Sequence, residues 1–259
     1  MRMILCGCLF LGAVLLAMSD SRADEKVELL QQARQAMQAE KSEQVVELLS
    51  QYLKLSPDDA GAWYQRGVHH FRILKFQESV SDFDRYVELN PSAERKLWER
   101  GISHYYAGMF REGAEQFALY QTYHDNDVEN SVWRFLCMSK REGIEPARKE
   151  MLPIKNDPRI PLMEVYAMFR GESTPEKVLE VARAGKPADE ILQGQLFYAQ
   201  LYLAIYYDAM GDATKAEQYA LQAWKDHEQT QNISRYMWHV ARVHAEDLKA
   251  KREAAVKKP

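Results

Sequence analysis

Certain residue types recur in this chain every 34 positions, and this recurrence constrains the fold more than any other feature. Phe83 in residues 60–93 returns 34 positions later as Phe117, and Leu49 stands 34 positions before it. A small residue recurs in the same phase, as Ala33, Gly67 and Gly101. The phase is kept across three successive units, which indicates similar structural units stacked on one another.

Thirty-four residues is the length of the tetratricopeptide repeat (TPR), a hairpin of two helices. Residues 60–93 fit its consensus best, with matches at Trp63, Gly67, Phe83 and Pro91. In such a hairpin a small residue lets the two helices approach, and a large one fills the gap between hairpins. The sequence therefore predicts an all-α fold, a TPR α-solenoid of helical hairpins with a helical C-terminal extension.

Arginine and tyrosine also follow the period. The arginines are Arg66, Arg100 and Arg134, and the tyrosines are Tyr52, Tyr86 and Tyr120. We expect both sets to pack between helices with their polar ends satisfied. Arg66 is expected to form a buried ion pair with Asp82, sixteen residues further on, because the hairpin brings those two positions together.

The array is expected to lose its regularity after the third repeat, because Pro146, Pro153 and Pro158 interrupt any second helix there. Later segments regain helix signals, and Ala213–Asp226 is expected to pair with Leu192–Met210. The predicted divisions are residues 1–23 as a signal peptide, 24–145 as the TPR array with repeats 26–59, 60–93, 94–127 and a degenerate repeat 128–150, 146–187 as an irregular helical connector, 188–250 as a TPR-like hairpin and capping helix, and 251–259 as a basic frayed tail.

The first residues predict export. Arg2 precedes an apolar run from Met3 to Met18, and Ser21-Arg22-Ala23 suits signal peptidase, so the mature chain is expected to begin at Asp24. A retained membrane anchor is the alternative, but the run is shorter than the roughly 20 apolar residues that span a bilayer. A lipoprotein signal is a third interpretation, because Cys6 and Cys8 lie in this segment, but both cysteines come too early for a lipobox. The prediction is a periplasmic or secreted protein without a lipid anchor.

The arrangement resembles the NlpI family of bacterial periplasmic lipoproteins. The resemblance rests on Arg66-Gly67, Arg100-Gly101, Tyr105-Tyr106-Ala107-Gly108 and the segment from Leu201 to Asp212, and it covers most of residues 60–240. It implies a dimeric envelope adaptor that brings peptidoglycan endopeptidases and a protease together. The absent lipobox departs from the family pattern.

Composition and motifs point away from catalysis. A net charge of −4 and a pI near 6.0 give no general attraction to nucleic acid. Cys137, the only cysteine after the signal, is expected to be a small core residue. The His69-His70 pair and His104 lack a further zinc ligand, and His239 and His244 point to different helix faces. We therefore predict no enzyme activity, no cofactor and no metal. The alternatives are an envelope assembly or chaperone-like factor, or an enzyme with a cleft in residues 128–190.

A protein-binding surface is predicted on the concave side of the second and third repeats, where first helices line a TPR superhelix. Side chains there that point away from the hairpin core are the candidates for partner contact, namely Tyr64, Val68, Phe71, Arg72, Trp98, Ile102, Tyr105 and Tyr106. So many aromatic residues exceed what hairpin packing needs, and Trp, Tyr and Arg are common anchors of binding energy. The groove is expected to take a helix or an extended peptide. The alternative is that the protein's own N-terminal or C-terminal helix, or the partner of a homodimer, fills it.

Overall fold

The computed structural model describes residues 8–256, and the side chains of residues 22–255. Eight helices form four successive hairpins: α1 (Cys8–Gln38) with α2 (Ser42–Leu55), α3 (Ala60–Arg72) with α4 (Phe76–Leu89), α5 (Trp98–Tyr106) with α6 (Phe110–Gln121), and α7 (Val128–Glu142) with α8 (Ile144–Lys149). A short 3-10 helix, Pro91–Lys96, connects the second and third hairpins. The described residues contain no strand. The predicted all-α solenoid of hairpins is confirmed.

The repeating small and large residues pack against each other inside the hairpins. A Cβ atom added to Gly101 would lie 2.7 Å from the ring of Phe117, and one added to Gly67 would lie 3.2 Å from both Asp82 and Phe83. A Cβ atom in a real protein essentially never lies as close as 2.7 Å to another heavy atom, so Gly101 cannot be replaced without a shift of its neighbours. The period therefore exists because each first helix needs a residue without bulk where the second helix crosses it.

The irregular middle follows the fourth hairpin. Helix α8 has only six residues and contains Pro146, and the chain then runs to residue 161 without a helix. Two short helices come next, α9 (Leu162–Phe169) and α10 (Pro175–Arg183), and Thr174 caps the second by accepting a hydrogen bond from the backbone of Lys177. The chain between α8 and α11 therefore contains two helices, of eight and nine residues.

The C-terminal part returns to helical hairpins. Helix α11 (Asp189–Ala209) packs along α12 (Ala213–Lys225), which packs in turn on α13 (Arg235–Val256). The last helix continues through residues 251–256, which belong to the segment predicted as a basic frayed tail. Through Tyr236 and Arg242, α13 also contacts α3 of the second repeat.

One large hydrophobic core joins the repeat array to the C-terminal helices. It runs from Phe71 and Ile102 of the array through Trp133 to Tyr202 and Trp238, all of them buried. A smaller cluster around Leu49 and Tyr52 holds the first hairpin together. The C-terminal extension is therefore packed on the array rather than trailing from its end.

The start of the chain bears on the export prediction. Residues 1–7 lie outside the described residues, and residues 8–38 form the single helix α1. Within the described part of the chain, none of the helices combines the length and apolar character needed to cross a bilayer. Cleavage after Ala23 stays a prediction.

Candidate protein-binding groove and its adjoining cavity

The eight residues predicted to bind a partner lie together on helices α3 and α5. Four of them are buried, namely Val68, Phe71, Ile102 and Tyr105. The other four are half-buried, namely Tyr64, Arg72, Trp98 and Tyr106. Helix α13 of the same chain contacts four of the eight, namely Phe71, Arg72, Trp98 and Tyr106, and this is one of the alternatives foreseen from the sequence. Others are covered from elsewhere, since Tyr105 packs on Phe110 and Trp133, and Tyr64 on Phe83 and Tyr86.

Aromatic packing fixes the start of α13 in the groove. The ring of Tyr236 stacks on the ring of Phe71 with centroids 5.6 Å apart, and its edge meets the ring of Trp98 at 5.0 Å. Phe71 in turn contacts Phe76 and Tyr106. This aromatic cluster is the main apolar contact between the array and α13, and such pairs contribute about 0.5–1.5 kcal/mol each beyond the area they bury.

Polar contacts continue along α13. The Tyr106 hydroxyl lies 3.0 Å from Nδ1 of His244, and the Arg242 guanidinium donates to the backbone carbonyl of Arg72. Arg235 pairs with Glu40 at 2.9 Å. Burial raises the pKa of Tyr106 and lowers the pKa of His244, so both groups are neutral and Nδ1 of the imidazole can accept a hydrogen bond from the phenol.

The groove stays open at its N-terminal end, beyond α13. A cavity of about 410 Å³ lies there, bordered by α1 and α3 with side chains that include Leu30, Arg34, Met37, Tyr64 and Tyr86. The ring of Tyr64 packs against the ring of Tyr86, with centroids 5.3 Å apart, and its hydroxyl donates a 2.9 Å hydrogen bond to Glu99. Of the predicted binding residues, Tyr64 is the one that borders this open end.

The Arg66–Asp82 pair is formed as the sequence predicts. The guanidinium donates two hydrogen bonds to the carboxylate, at 2.9 and 2.7 Å, and the Asp82 side chain is 3% exposed. His70 adds a 2.9 Å contact to the same carboxylate, and Ser50 accepts from Arg66 at 3.1 Å. The pair therefore joins the second hairpin to the hairpin before it.

The other periodic arginines follow the same plan. Arg100 contacts Asp84, sixteen residues before it, and Gln116, sixteen residues after it. Arg134 donates to the backbone carbonyl of Glu150, again sixteen residues further on. The expectation that these arginines pack between helices with their polar ends satisfied is confirmed at the first two positions. At Arg134 the Nε atom is buried without a hydrogen-bond partner among the described residues.

Sequence reasoning missed a cluster of charges at the start of α7. The Arg159 guanidinium donates to three carboxylates, those of Asp127, Glu129 and Asp157. The hydroxyl of Tyr202 donates a further 2.7 Å hydrogen bond to Glu129. Burial raises the pKa of Glu129, an effect that the charge of Arg159 only partly offsets. At Asp157 burial is outweighed by hydrogen bonds from Arg159, so the pKa of that carboxyl is lowered.

Of the residues in this cluster, only Asp127 has a role that its local sequence could have indicated. Its side chain accepts a hydrogen bond from the backbone of Glu129, as an N-terminal cap of α7 does. Arg159 and Tyr202 come from distant parts of the chain, so no sequence spacing indicates that they meet.

The residues considered for metal or nucleophilic chemistry have structural roles. His69 contacts Ser42 at 3.1 Å, and burial lowers the pKa of His69 to about 3 and that of His104 to about 4. Cys137 is buried, which raises the pKa of its thiol and makes it a poor nucleophile. In the part of the chain that the structure describes, no three His, Cys, Asp or Glu side chains are grouped so as to hold a metal ion.

Comparison with known proteins assigns this chain to no family. No protein-family model and no curated protein matches the chain. Among solved structures, a chain of the "Structure of Naa15/Naa10 bound to HypK-THB" is 14% identical, with a TM-score of 0.41 over 96% of this chain and 39% of that one. This chain thus spans well under half of that neighbour's length, and the likeness concerns the helical fold alone.

The hairpins and the groove define the class of this protein. It is a helical-repeat protein of the TPR type, an α-solenoid of helical hairpins. Proteins of this class typically serve as interaction scaffolds.

Proposed function

We propose that this chain is an exported scaffold of the bacterial cell envelope that binds a helical segment of a partner protein in its concave groove. The observation that carries the proposal is the seating of α13, whose Tyr236 and Arg242 contact α3. A groove that accommodates one amphipathic helix has the width and the aromatic lining to accommodate another.

The partner helix is proposed to enter at the open N-terminal end, where Tyr64 borders the cavity beside α1 and α3. Apolar side chains there, such as Leu30 and Met37, would anchor it, and Arg34 would pair with an acidic residue of the partner. A partner that reaches further, to Trp98, has to displace the start of α13, because Tyr236 covers that side chain.

The signal-like order of the first residues supports the envelope part of the proposal. Arg2, the apolar run from Met3 to Met18 and Ser21-Arg22-Ala23 have the order of a cleavable signal. The resemblance to the NlpI family adds peptidoglycan hydrolases and proteases as the partner classes to test first. A soluble mature chain starting at Asp24 is expected, and N-terminal sequencing of protein isolated from its host measures this directly.

The binding test places a photo-crosslinking amino acid at Tyr64, and for comparison at Glu78, which is exposed on the second helix of the same hairpin. Crosslinked partners are recovered from the envelope fraction of the host. The proposal expects one defined partner from position 64 that is absent from position 78, and a Tyr64→Ala chain that folds normally and recovers at least about tenfold less of it.

Two outcomes would reject the groove as the binding surface. One is an equal yield of the same partner from both positions, and the other is unchanged capture by Tyr64→Ala. A crosslink to a second copy of this chain would instead show that a homodimer covers the open end.

A further inference from the structure

A second cavity lies on the other side of the start of α13. Its volume is about 210 Å³, several times the roughly 30 Å³ that one water molecule occupies in the liquid. Helices α5, α6, α7, α11 and α13 all contribute to its wall. Four aromatic rings border it, those of Trp98, Phe117, Trp133 and Tyr198. These rings give it the character of an aromatic box.

Carboxylates also contribute to the wall. Asp127 and Glu129 line the cavity together with Arg159, and Asp157 is bonded to the same guanidinium. Three carboxylates against one guanidinium leave this corner with an excess of two negative charges when all of them are ionised. The donors of Arg159 are already directed to these carboxylates, so it has little left to offer an anion.

Two of the residues that line the cavity carry buried polar atoms without a hydrogen-bond partner among the described residues. Asn130 is 3% exposed, and both hydrogens of its amide are used, on the carbonyl of Phe117 and on Gln121. Its oxygen Oδ1 is buried and has no hydrogen-bond partner among the described residues, and the same holds for Nε1 of Trp133, which is 2% exposed. A buried acceptor without a donor is costly, and a ligand that donates a hydrogen bond removes that cost.

We propose that this cavity is a binding site for an alkylammonium group, supplied by a lysine side chain of a peptide or by a free aliphatic amine. The cation lies among the rings of Trp98, Trp133 and Tyr198, whose faces attract positive charge. Its three N–H groups are directed to Glu129, Asp127 and Oδ1 of Asn130. The indole N–H of Trp133 is left for an acceptor on the ligand, such as a peptide carbonyl.

Partner capture at the open end of the groove, beside Tyr64, uses none of the residues that line this cavity, so either proposal can fail without the other. Burial of Glu129 beside Tyr202 agrees with it, because a cation offsets the cost of an ionised carboxylate away from water. A neutral ligand of the same shape provides no such compensation.

The test is a calorimetric titration of the full chain with n-butylammonium, with 1-butanol as the neutral ligand of similar shape. The proposal expects saturable binding of the ammonium and at least about tenfold weaker binding of the alcohol, equal to about 1.4 kcal/mol. A second arm uses Nα-acetyl-lysine N-methylamide against its Nε-acetylated form. Tighter binding of the lysine amide than of butylammonium supports a peptide as the source, and the reverse order supports a free amine.

Variants assign the binding to this cavity. Glu129→Gln keeps the shape of the side chain and is expected to weaken ammonium binding about tenfold, whereas Glu78→Gln, which removes an equal charge from an exposed position, changes it by less than about twofold. Trp98→Leu is expected to weaken it about fivefold and is decisive if Glu129→Gln does not fold. Equal affinity for butylammonium and butanol, no detectable ammonium binding, or unchanged affinity in both cavity variants would overturn the proposal.

Discussion

The ring of Tyr236 on α13 lies nearly parallel to the ring of Phe71 on α3, with 14° between their planes. These two residues join the end of the chain to its second repeat. Because of this contact, the concave face that a TPR array normally offers to partners is largely a part of this protein's own core. The face open to a partner is therefore shorter than the array that forms it.

Replacing Tyr236 with alanine is expected to loosen α13 from the groove. Loss of a large packed aromatic side chain destabilises a core by about 3–5 kcal/mol, and we expect the lower end because Tyr236 is half-buried. Chemical denaturation measures the change. Tyr123→Ala removes an exposed ring and should cost less than about 1 kcal/mol. If the two variants were equally stable, the stacking would contribute nothing to the position of α13.

Asp82→Ala is expected to destabilise the protein by about 3 kcal/mol, because it leaves the guanidinium of Arg66 without its carboxylate in a buried position. Asp84→Ala is the matched control. Asp84 pairs with Arg100 in a similar way but is 43% exposed, so its loss should cost less than about 1 kcal/mol. Urea denaturation of the two variants compares them, and a change below 1 kcal/mol for Asp82→Ala would reject a stabilising role for the buried pair.

Gly101→Ala tests the packing that sets the repeat period. The added methyl group would meet the Phe117 ring at 2.7 Å, so we expect a loss of about 1–3 kcal/mol despite the better helix propensity of alanine. Combining it with Phe117→Leu should cost less than the sum of the two single changes, because the smaller side chain leaves room for the methyl group. Strict additivity in thermal or chemical denaturation would show that the two positions do not interact.

Stability is expected to fall as the pH is lowered from 7 to 5.5. Burial lowers the pKa of His239 to about 2, that of His69 to about 3 and that of His104 to about 4. In the unfolded chain these groups bind protons below about pH 6.5. The unfolded state therefore gains protons first, so their contribution to stability is full above pH 6.5 and is lost as the pH falls towards the folded values.

The expected loss over that range is about 2–4 kcal/mol, measured by denaturation at each pH. His239→Phe should reduce it by about 1 kcal/mol, since it removes one of the three groups. Both ring nitrogens of His239 are buried without a hydrogen-bond partner among the described residues, so this change should not lower stability at pH 7. A stability that stays constant between pH 7 and 5.5 would contradict the argument.

The sequence by itself determined the repeat units of this protein. Gly67 with Phe83, Gly101 with Phe117 and Arg66 with Asp82 are contacts within one hairpin, and the 34-residue period keeps each of them in phase. Contacts of this kind depend on helix periodicity and on the length of one turn, both of which can be inferred locally. The sixteen-residue spacing of Arg100 from Asp84 and Gln116 could have been predicted by the same reasoning.

Only the tertiary structure decided what lies in the groove and where the cavity between Trp98 and Glu129 forms. Tyr236 on Phe71, His244 at Tyr106 and Tyr202 at Glu129 join segments that no repeat phase relates. An amphipathic helix such as α13 can bury its apolar face against any complementary surface, so its sequence does not specify which one. The position of α13 is fixed by many contacts between segments that are distant in the sequence. These contacts form only when the whole chain has folded.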